Sequence, residues 1–113
     1  MNRWVPVPVC SPAQLKQILD TGEPVELIDV REPAEWNISN LGEFGARLIP
    51  LQELPQRLGE IDADANIIVY CRSGSRSEMA ARFMLGNGFE SVTNLDGGIN
   101  AWAREIDPAM PTY

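Results

Sequence analysis

The amino-acid sequence predicts an α/β domain with a mostly parallel central sheet flanked by helices. Three observations carry that prediction. Short runs dense in β-branched and aliphatic residues, such as Val25-Glu26-Leu27-Ile28-Asp29-Val30 and Ile67-Ile68-Val69-Tyr70, alternate with segments of helical period. The second run is the least polar in the chain, as expected of a parallel strand buried on both faces. It ends directly at a polar, glycine-bearing loop, after which the period changes to that of a helix.

Taken in order, Met1 to Val9 carries prolines at positions 6 and 8, which suits an extended edge segment better than a central strand. Ser11 before Pro12 pairs a capping residue with a first-turn proline, and Leu15, Ile18 and Leu19 share one helical face up to Gly22. Val25 to Val30 is the first core strand, bounded by Pro24 and Arg31-Glu32-Pro33. A loop-rich stretch runs to Gly45, and Ala46-Arg47-Leu48-Ile49 forms a short strand closed by Pro50. Leu51, Leu54 and Leu58 have a weak helical period that Pro55 interrupts, which predicts two short turns. After the strand Ile67 to Tyr70, Met79, Ala80, Phe83 and Met84 define an apolar helical face that Gly86-Asn87-Gly88 terminates. Ser91 to Leu95 is a further strand, and Gly97-Gly98 opens a last helix whose Ile99, Trp102, Ala103 and Ile106 face one side.

With 113 residues, of which 44% are hydrophobic, the chain can bury one core and is expected to form one domain over residues 1–113. Sixteen acidic against nine basic side chains give a formal charge of -7, so a duplex nucleic acid is not an expected partner. No transmembrane run or signal-peptide pattern is present, and two cysteines give no disulfide framework. A cytoplasmic location without membrane association is therefore expected. The chain contains no histidine, which removes a Cys-His catalytic pair and any histidine-based zinc site; no metal or cofactor is expected.

The sharpest chemical signal is the loop Cys71-Arg72-Ser73-Gly74-Ser75-Arg76 between the buried strand and the next helix. Ligands of parallel sheets bind beyond the carboxyl ends of strands, where Cys71 is expected. A free thiol has a pKa of about 8.5, and helix N-termini and arginines lower it. The open amides of the following helix can converge on Cys71, with Arg72 and Arg76 adding positive charge and Gly74 permitting the tight backbone. Cys71 is accordingly read as a nucleophile, with Arg72, Ser73, Gly74, Ser75 and Arg76 binding the anionic substrate. Ser75 and Glu78 have capping-box spacing, so Ser75 either caps the helix or points into the cradle. The alternative for Cys71 is a buried structural thiol, which would not call for two arginines, a glycine and two hydroxyls directly after it.

At these residues the chain resembles the rhodanese family. The matching stretches are Asp29-Val30-Arg31-Glu32 with Glu35-Trp36, Gly45-Ala46-Arg47-Leu48-Ile49-Pro50-Leu51, Ile68 to Ser77, and Leu95-Asp96-Gly97-Gly98-Ile99-Asn100-Ala101-Trp102. Glu105-Ile106-Asp107-Pro108 with Pro111 and Tyr113 resembles the rhodanese domain attached to bacterial adenylyltransferases that activate sulfur-carrier proteins. The resemblance implies a rhodanese-like fold and sulfur transfer through a persulfide on Cys71. It implies a small anionic donor such as thiosulfate, and cyanide or a sulfur-carrier or other protein as acceptor. Asp29 and Arg31 then brace loops rather than react, and Asp96 matches the turn position before the double glycine. One departure is Asn40, where family members commonly have a histidine, followed by a longer connection through Gly42-Glu43-Phe44.

Two other functions compete with this reading. A non-catalytic binding or regulatory module would keep the loop without turnover, although the retained Cys71, Gly74 and both arginines argue for chemistry. A cysteine phosphatase would need five residues between cysteine and arginine, whereas four separate Cys71 from Arg76, which makes a tighter cradle suited to a single sulfur. Cys10, between Val9 and the cap Ser11-Pro12, reads as a packing or solvent-facing thiol rather than a resolving one. Trp102 and Trp36 read as packing residues, and Trp4 as part of a docked terminal segment with a partner contact as the alternative.

Overall fold

The computed structural model describes residues 5–113; Trp4 lies outside them. Five strands form one parallel sheet: β1 (Val9–Cys10), β2 (Glu26–Asp29), β3 (Arg47–Leu48), β4 (Ile67–Tyr70) and β5 (Val92–Leu95), in the spatial order β1-β5-β4-β2-β3. Parallel neighbours need crossovers, which the helices α1 (Pro12–Thr21), α2 (Pro33–Trp36), α3 (Leu54–Arg57), α4 (Ser75–Leu85) and α5 (Gly98–Glu105) help to supply. The α/β class with a parallel sheet is thus observed, with no antiparallel strand among the described residues.

β4 is the middle strand of the sheet, every one of its residues is buried, and its alternation divides the core in two. Ile67 and Val69 join Ile28, Val30, Ala80, Met84 and Cys71, while Ile68 and Tyr70 join Leu27, Leu15, Ile99, Trp102 and Cys10. Each such aliphatic side chain contributes roughly 1.5–3 kcal/mol by leaving water. Pairing Ile28 with Val69 and Asp29 with Tyr70 aligns the carboxyl ends of β2 and β4. Arg31 and Cys71 therefore emerge at the same carboxyl end of the sheet.

Local signals account for the helix boundaries. Ser11 caps α1 by accepting from the Gln14 amide at 3.1 Å while the Gln14 side chain accepts from the Ser11 amide at 2.8 Å, and Gly22 closes the helix with φ 74°. Pro55 occupies the first turn of α3, where its missing N–H costs nothing, so the leucine segment continues through 3-10 turns on either side instead of two separate turns. Of the face expected for α4, Ala80 and Met84 are buried and Met79 and Phe83 are not. Ser77, Ala80, Ala81 and Met84, at helical spacing, are buried, whereas Met79 and Phe83 are 57% and 37% exposed. A serine inside that stripe is the consequence for the site.

Candidate active site

Cys71 leaves β4 and is 1% exposed, at the floor of the turn that leads into α4. Gly74 holds the turn with φ 119°, a conformation that L side chains rarely adopt, and thereby turns its own amide onto the sulfur at 3.1 Å. The Ser77 hydroxyl lies 3.3 Å from the same Sγ. Burial pushes the thiol pKa up, but the Ser77 hydroxyl and the amides of Ser77, Gly74 and Ser73 outweigh it, and the net direction is down. The geometry is an anion cradle built of backbone donors around a nucleophilic atom.

The loop backbone is fixed from the far side by α5. The amides of Ile99 and Asn100, unpaired in their own helix, donate to the carbonyls of Cys71 and Arg72 at 2.9 and 3.2 Å. That approach is close enough that a Cβ on Gly98 would overlap both carbonyls, so the double glycine is a packing requirement. Asn94 braces the turn from β5: its Nδ2 donates to the Gly74 carbonyl at 3.0 Å, and its Oδ1 lies 2.5 Å from the Ser77 hydroxyl. Ser77 has one proton and three acceptors in reach, namely Sγ, Asn94 Oδ1 and the Gly74 carbonyl at 3.3 Å. Donation to a thiolate therefore competes with donation to Asn94.

Gly74, not Ser75, occupies the position before the first helical residue of α4, and no side chain caps this end. The capping-box geometry is absent because Ser75 is already in the helix, where its hydroxyl cannot turn back; the Glu78 amide bonds the Gly74 carbonyl and the Glu78 carboxylate pairs with Arg82. Ser75 is exposed, as are Ser73 and Arg72.

The two loop arginines have different partners. Arg76 forms a two-pronged pair with Glu35, Nη1 to Oε1 at 2.7 Å and Nη2 to Oε2 at 2.8 Å. The Arg76 guanidinium holds the Glu35 carboxyl down at about 2, helped by the Glu32 amide and the Tyr113 hydroxyl against partial burial. Arg76 is in turn stabilised as a cation first by Glu35 and also by the charge of Cys71. Arg72 instead lays its guanidinium over the Tyr113 ring, 5.0 Å from the centroid.

Asp29 and Arg31 form a fully buried ion pair at the carboxyl end of β2, with Arg31 Nη2 to Asp29 Oδ2 at 2.7 Å and Arg31 Nε bonding both carboxylate oxygens. Arg31 also donates to the Ser39 carbonyl at 2.6 Å and the Tyr113 hydroxyl at 2.8 Å, which joins three loops. Asn40 closes the rim locally, donating to the Trp36 carbonyl and accepting from the Gly42 amide. Asp96 is exposed and sits beside Cys10, whose carbonyl accepts its amide at 2.8 Å.

In the sequence Glu35, Ser77 and Tyr113 stand out only as parts of motifs and Asn94 only as part of a strand, none of them as a site residue. Signals existed for two of them. Ser77 falls on the buried stripe of α4, and Asn94 occupies an inward-facing position two residues after Val92, where a polar side chain needs a partner.

The site thus consists of a parallel α/β sheet with a cysteine in a cradle of backbone amides beyond its central strand. The chain belongs to the rhodanese family: the Rhodanese-like domain matches residues 11–105. It is 41% identical over 96 residues to the protein named "Sulfurtransferase" of Allochromatium vinosum, covering 85% of this chain and 88% of that one. It is 38% identical over 105 residues to "Probable adenylyltransferase/sulfurtransferase MoeZ" of Mycobacterium tuberculosis, covering 91% of this chain but 26% of MoeZ, so it spans about a quarter of that relative. The crystal structure of reduced Bacillus anthracis CoADR-RHD superposes with a TM-score of 0.80 at 34% identity, covering 95% of this chain and 18% of that one. No described helix is long and apolar enough to cross a membrane.

Proposed function

We propose that the protein is a sulfurtransferase that carries sulfane sulfur as a persulfide on Cys71. The observation that carries this reading is the buried Sγ within hydrogen-bond reach of the Gly74 amide and Ser77 hydroxyl. Membership of the rhodanese family and the sulfurtransferase relatives support it. With thiosulfate as donor, the Cys71 thiolate attacks the outer sulfur, a sulfur–sulfur bond forms at Sγ, and the original sulfur–sulfur bond breaks with its electron pair leaving on sulfite. The charge sum is the same on both sides, and sulfite needs no proton to leave, so the absence of histidine is no obstacle. The cradle amides take up the charge that moves to the terminal sulfur. An acceptor nucleophile then attacks that sulfur and restores the thiolate, a double displacement.

Arg72, Ser73, Gly74, Ser75 and Arg76 form the substrate-facing rim, and Asp29 with Arg31 supports it. Because Glu35 offsets Arg76, the exposed Arg72 is the freer charge for an incoming anion. A sulfur-carrier protein is the proposed acceptor, on the likeness to the "Putative sulfur carrier protein YrkF" of Bacillus subtilis. The test is intact-mass measurement after brief exposure to thiosulfate, with peptide mapping and a chase with cyanide or a carrier protein. One added sulfur on Cys71, lost as the acceptor gains it, is the expected result. No adduct from thiosulfate or from a protein persulfide, or an adduct confined to Cys10, overturns the proposal.

A further inference from the structure

The segment after α5 returns across the site and brings Tyr113 up to its rim. The Tyr113 hydroxyl accepts from Arg31 Nη1 at 2.8 Å and donates to Glu35 Oε2 at 2.7 Å, using its one proton and one lone pair. Its ring lies under Arg72, and its carbonyl accepts from Asn100 Nδ2 at 3.0 Å. Asn100 is the residue whose amide holds the Arg72 carbonyl. Both arginines of the Cys71 loop are therefore reached through this one residue, Arg72 by stacking and Arg76 by way of Glu35.

Glu35 shows why the hydroxyl matters. Its Oε1 receives Arg76 and the Glu32 amide, and its Oε2 receives Arg76 and Tyr113. Four donors leave the carboxylate one orientation, and a two-pronged guanidinium follows it. Removing one donor frees the carboxylate to rotate, and Arg76 with it. The same deletion leaves the buried Arg31 Nη1 without its partner.

We propose that Tyr113 is a positioning residue for the Cys71 site: its hydroxyl joins the Asp29–Arg31 and Glu35–Arg76 ion pairs and its ring carries Arg72, so that it sets the positive field met by an anion approaching the sulfur. The inference rests on Cys71 being the reacting atom. It does not require the donor to be thiosulfate.

Alkylation of Cys71 by iodoacetate, an anion, and by iodoacetamide, its neutral counterpart, reads that field without any sulfur transfer. Adducts are assigned to Cys71 by peptide mapping in the full chain, and the ratio of the two rates is compared at fixed ionic strength. Tyr113→Leu, which removes both ring and hydroxyl, lowers the ratio about threefold or more, and Tyr113→Phe, which keeps the ring, lowers it less. In an Arg72→Leu background the difference between Tyr113→Leu and Tyr113→Phe shrinks to what the ring does through Arg31, whose guanidinium lies 5.8 Å from its centroid. Should Tyr113→Leu destabilise the fold, Tyr113→Phe against native protein still tests the hydroxyl. A native ratio in both variants, or equal slowing with both reagents, overturns the proposal. A failure to form persulfide in native protein overturns the proposed reaction instead, and the alkylation ratio then still decides the role of Tyr113.

Discussion

Cys10 and Cys71 both stand at the carboxyl ends of parallel strands, and both are buried, at 7% and 1% exposure. Their thiols are pushed in opposite directions. Burial and the neighbouring Asp96 raise Cys10, while Cys71 is lowered because the Ser77 hydroxyl and three amides overcome the adverse effect of its own burial. The two strands differ in the turns that leave them. After Cys10 comes Ser11-Pro12, whose hydroxyl is held at the helix start, where it accepts from the Gln14 amide, and whose proline has no N–H to offer. After Cys71 comes a left-handed glycine that turns amides inward and a helix with unclaimed donors. Burial alone makes an inert thiol; a reactive one needs donors bound to the same turn.

The largest test of that contrast exchanges the two sulfurs for oxygen. Cys71→Ser is expected to lower thiocyanate formation from thiosulfate and cyanide about a thousandfold or more, whereas Cys10→Ser stays within about twofold of native. Rates per folded protein, with circular dichroism as the control, decide it. Equal losses in both variants would dissolve the distinction.

How far the sequence foretold this contrast depends on how far apart the interacting residues are. The Cys71 loop was legible because its donors are contiguous: the nucleophile, the glycine and the helix start lie within six residues, so composition and spacing carry the geometry. The central place of β4 was legible from an unbroken apolar run. Glu35 and Tyr113 were not, and for Asn94 the inward strand position was but its partner was not, because the three meet Arg76, Arg31 and Gly74 from 41, 82 and 20 residues away, and no local pattern reports such convergence. The misplaced apolar face of α4 has a similar cause. Met79 and Phe83 satisfy a helical period as well as Ala80 and Met84 do, and only the sheet decides which side is covered.

Ser77 gives the next, smaller effect. Ser77→Ala removes the side-chain donor from the sulfur while leaving the Gly74 amide, so the Cys71 titration moves up in pH and turnover near neutrality falls roughly tenfold. The alkylation rate with iodoacetamide as a function of pH is the measurement. In native protein the Cys71 midpoint is expected below that of an ordinary thiol and the Cys10 midpoint above it. An unchanged midpoint in Ser77→Ala would assign the depression to amides alone. The competing acceptor Asn94 predicts that Asn94→Ala does not restore what Ser77→Ala loses, since Gly74 also loses its brace.

Arg76 sharpens the comparison by charge sign. A guanidinium lies within electrostatic reach of Cys71, where a carboxylate lies within reach of Cys10. Arg76→Ala is expected to lower kcat/KM for thiosulfate a few-fold, about threefold to tenfold, and Arg104→Ala, on the exposed side of α5, to leave it unchanged. The loss is modest because Glu35 already offsets much of the charge. Kinetics at matched ionic strength distinguish the two, and an Arg104→Ala effect of the same size would reduce Arg76 to a share of the general field.

The smallest expected effect belongs to Asp96, and it tests the inert member of the pair. Burial is the larger cause of the raised Cys10 thiol and Asp96 the smaller, so Asp96→Asn removes a repelling charge without opening the site. The thiolate of Cys10 becomes easier to form, and its titration midpoint moves down. It stays above that of an ordinary thiol, because desolvation remains and no amide or hydroxyl is recruited. The turn itself survives the change, since it is the Asp96 amide rather than its carboxylate that bonds the Cys10 carbonyl. Iodoacetamide rates over a pH series, resolved by peptide mapping, should show Cys10 shifting and Cys71 holding its midpoint. A Cys10 midpoint that drops below that of Cys71 would mean that charge, and not the donor-lined turn, separates the two thiols.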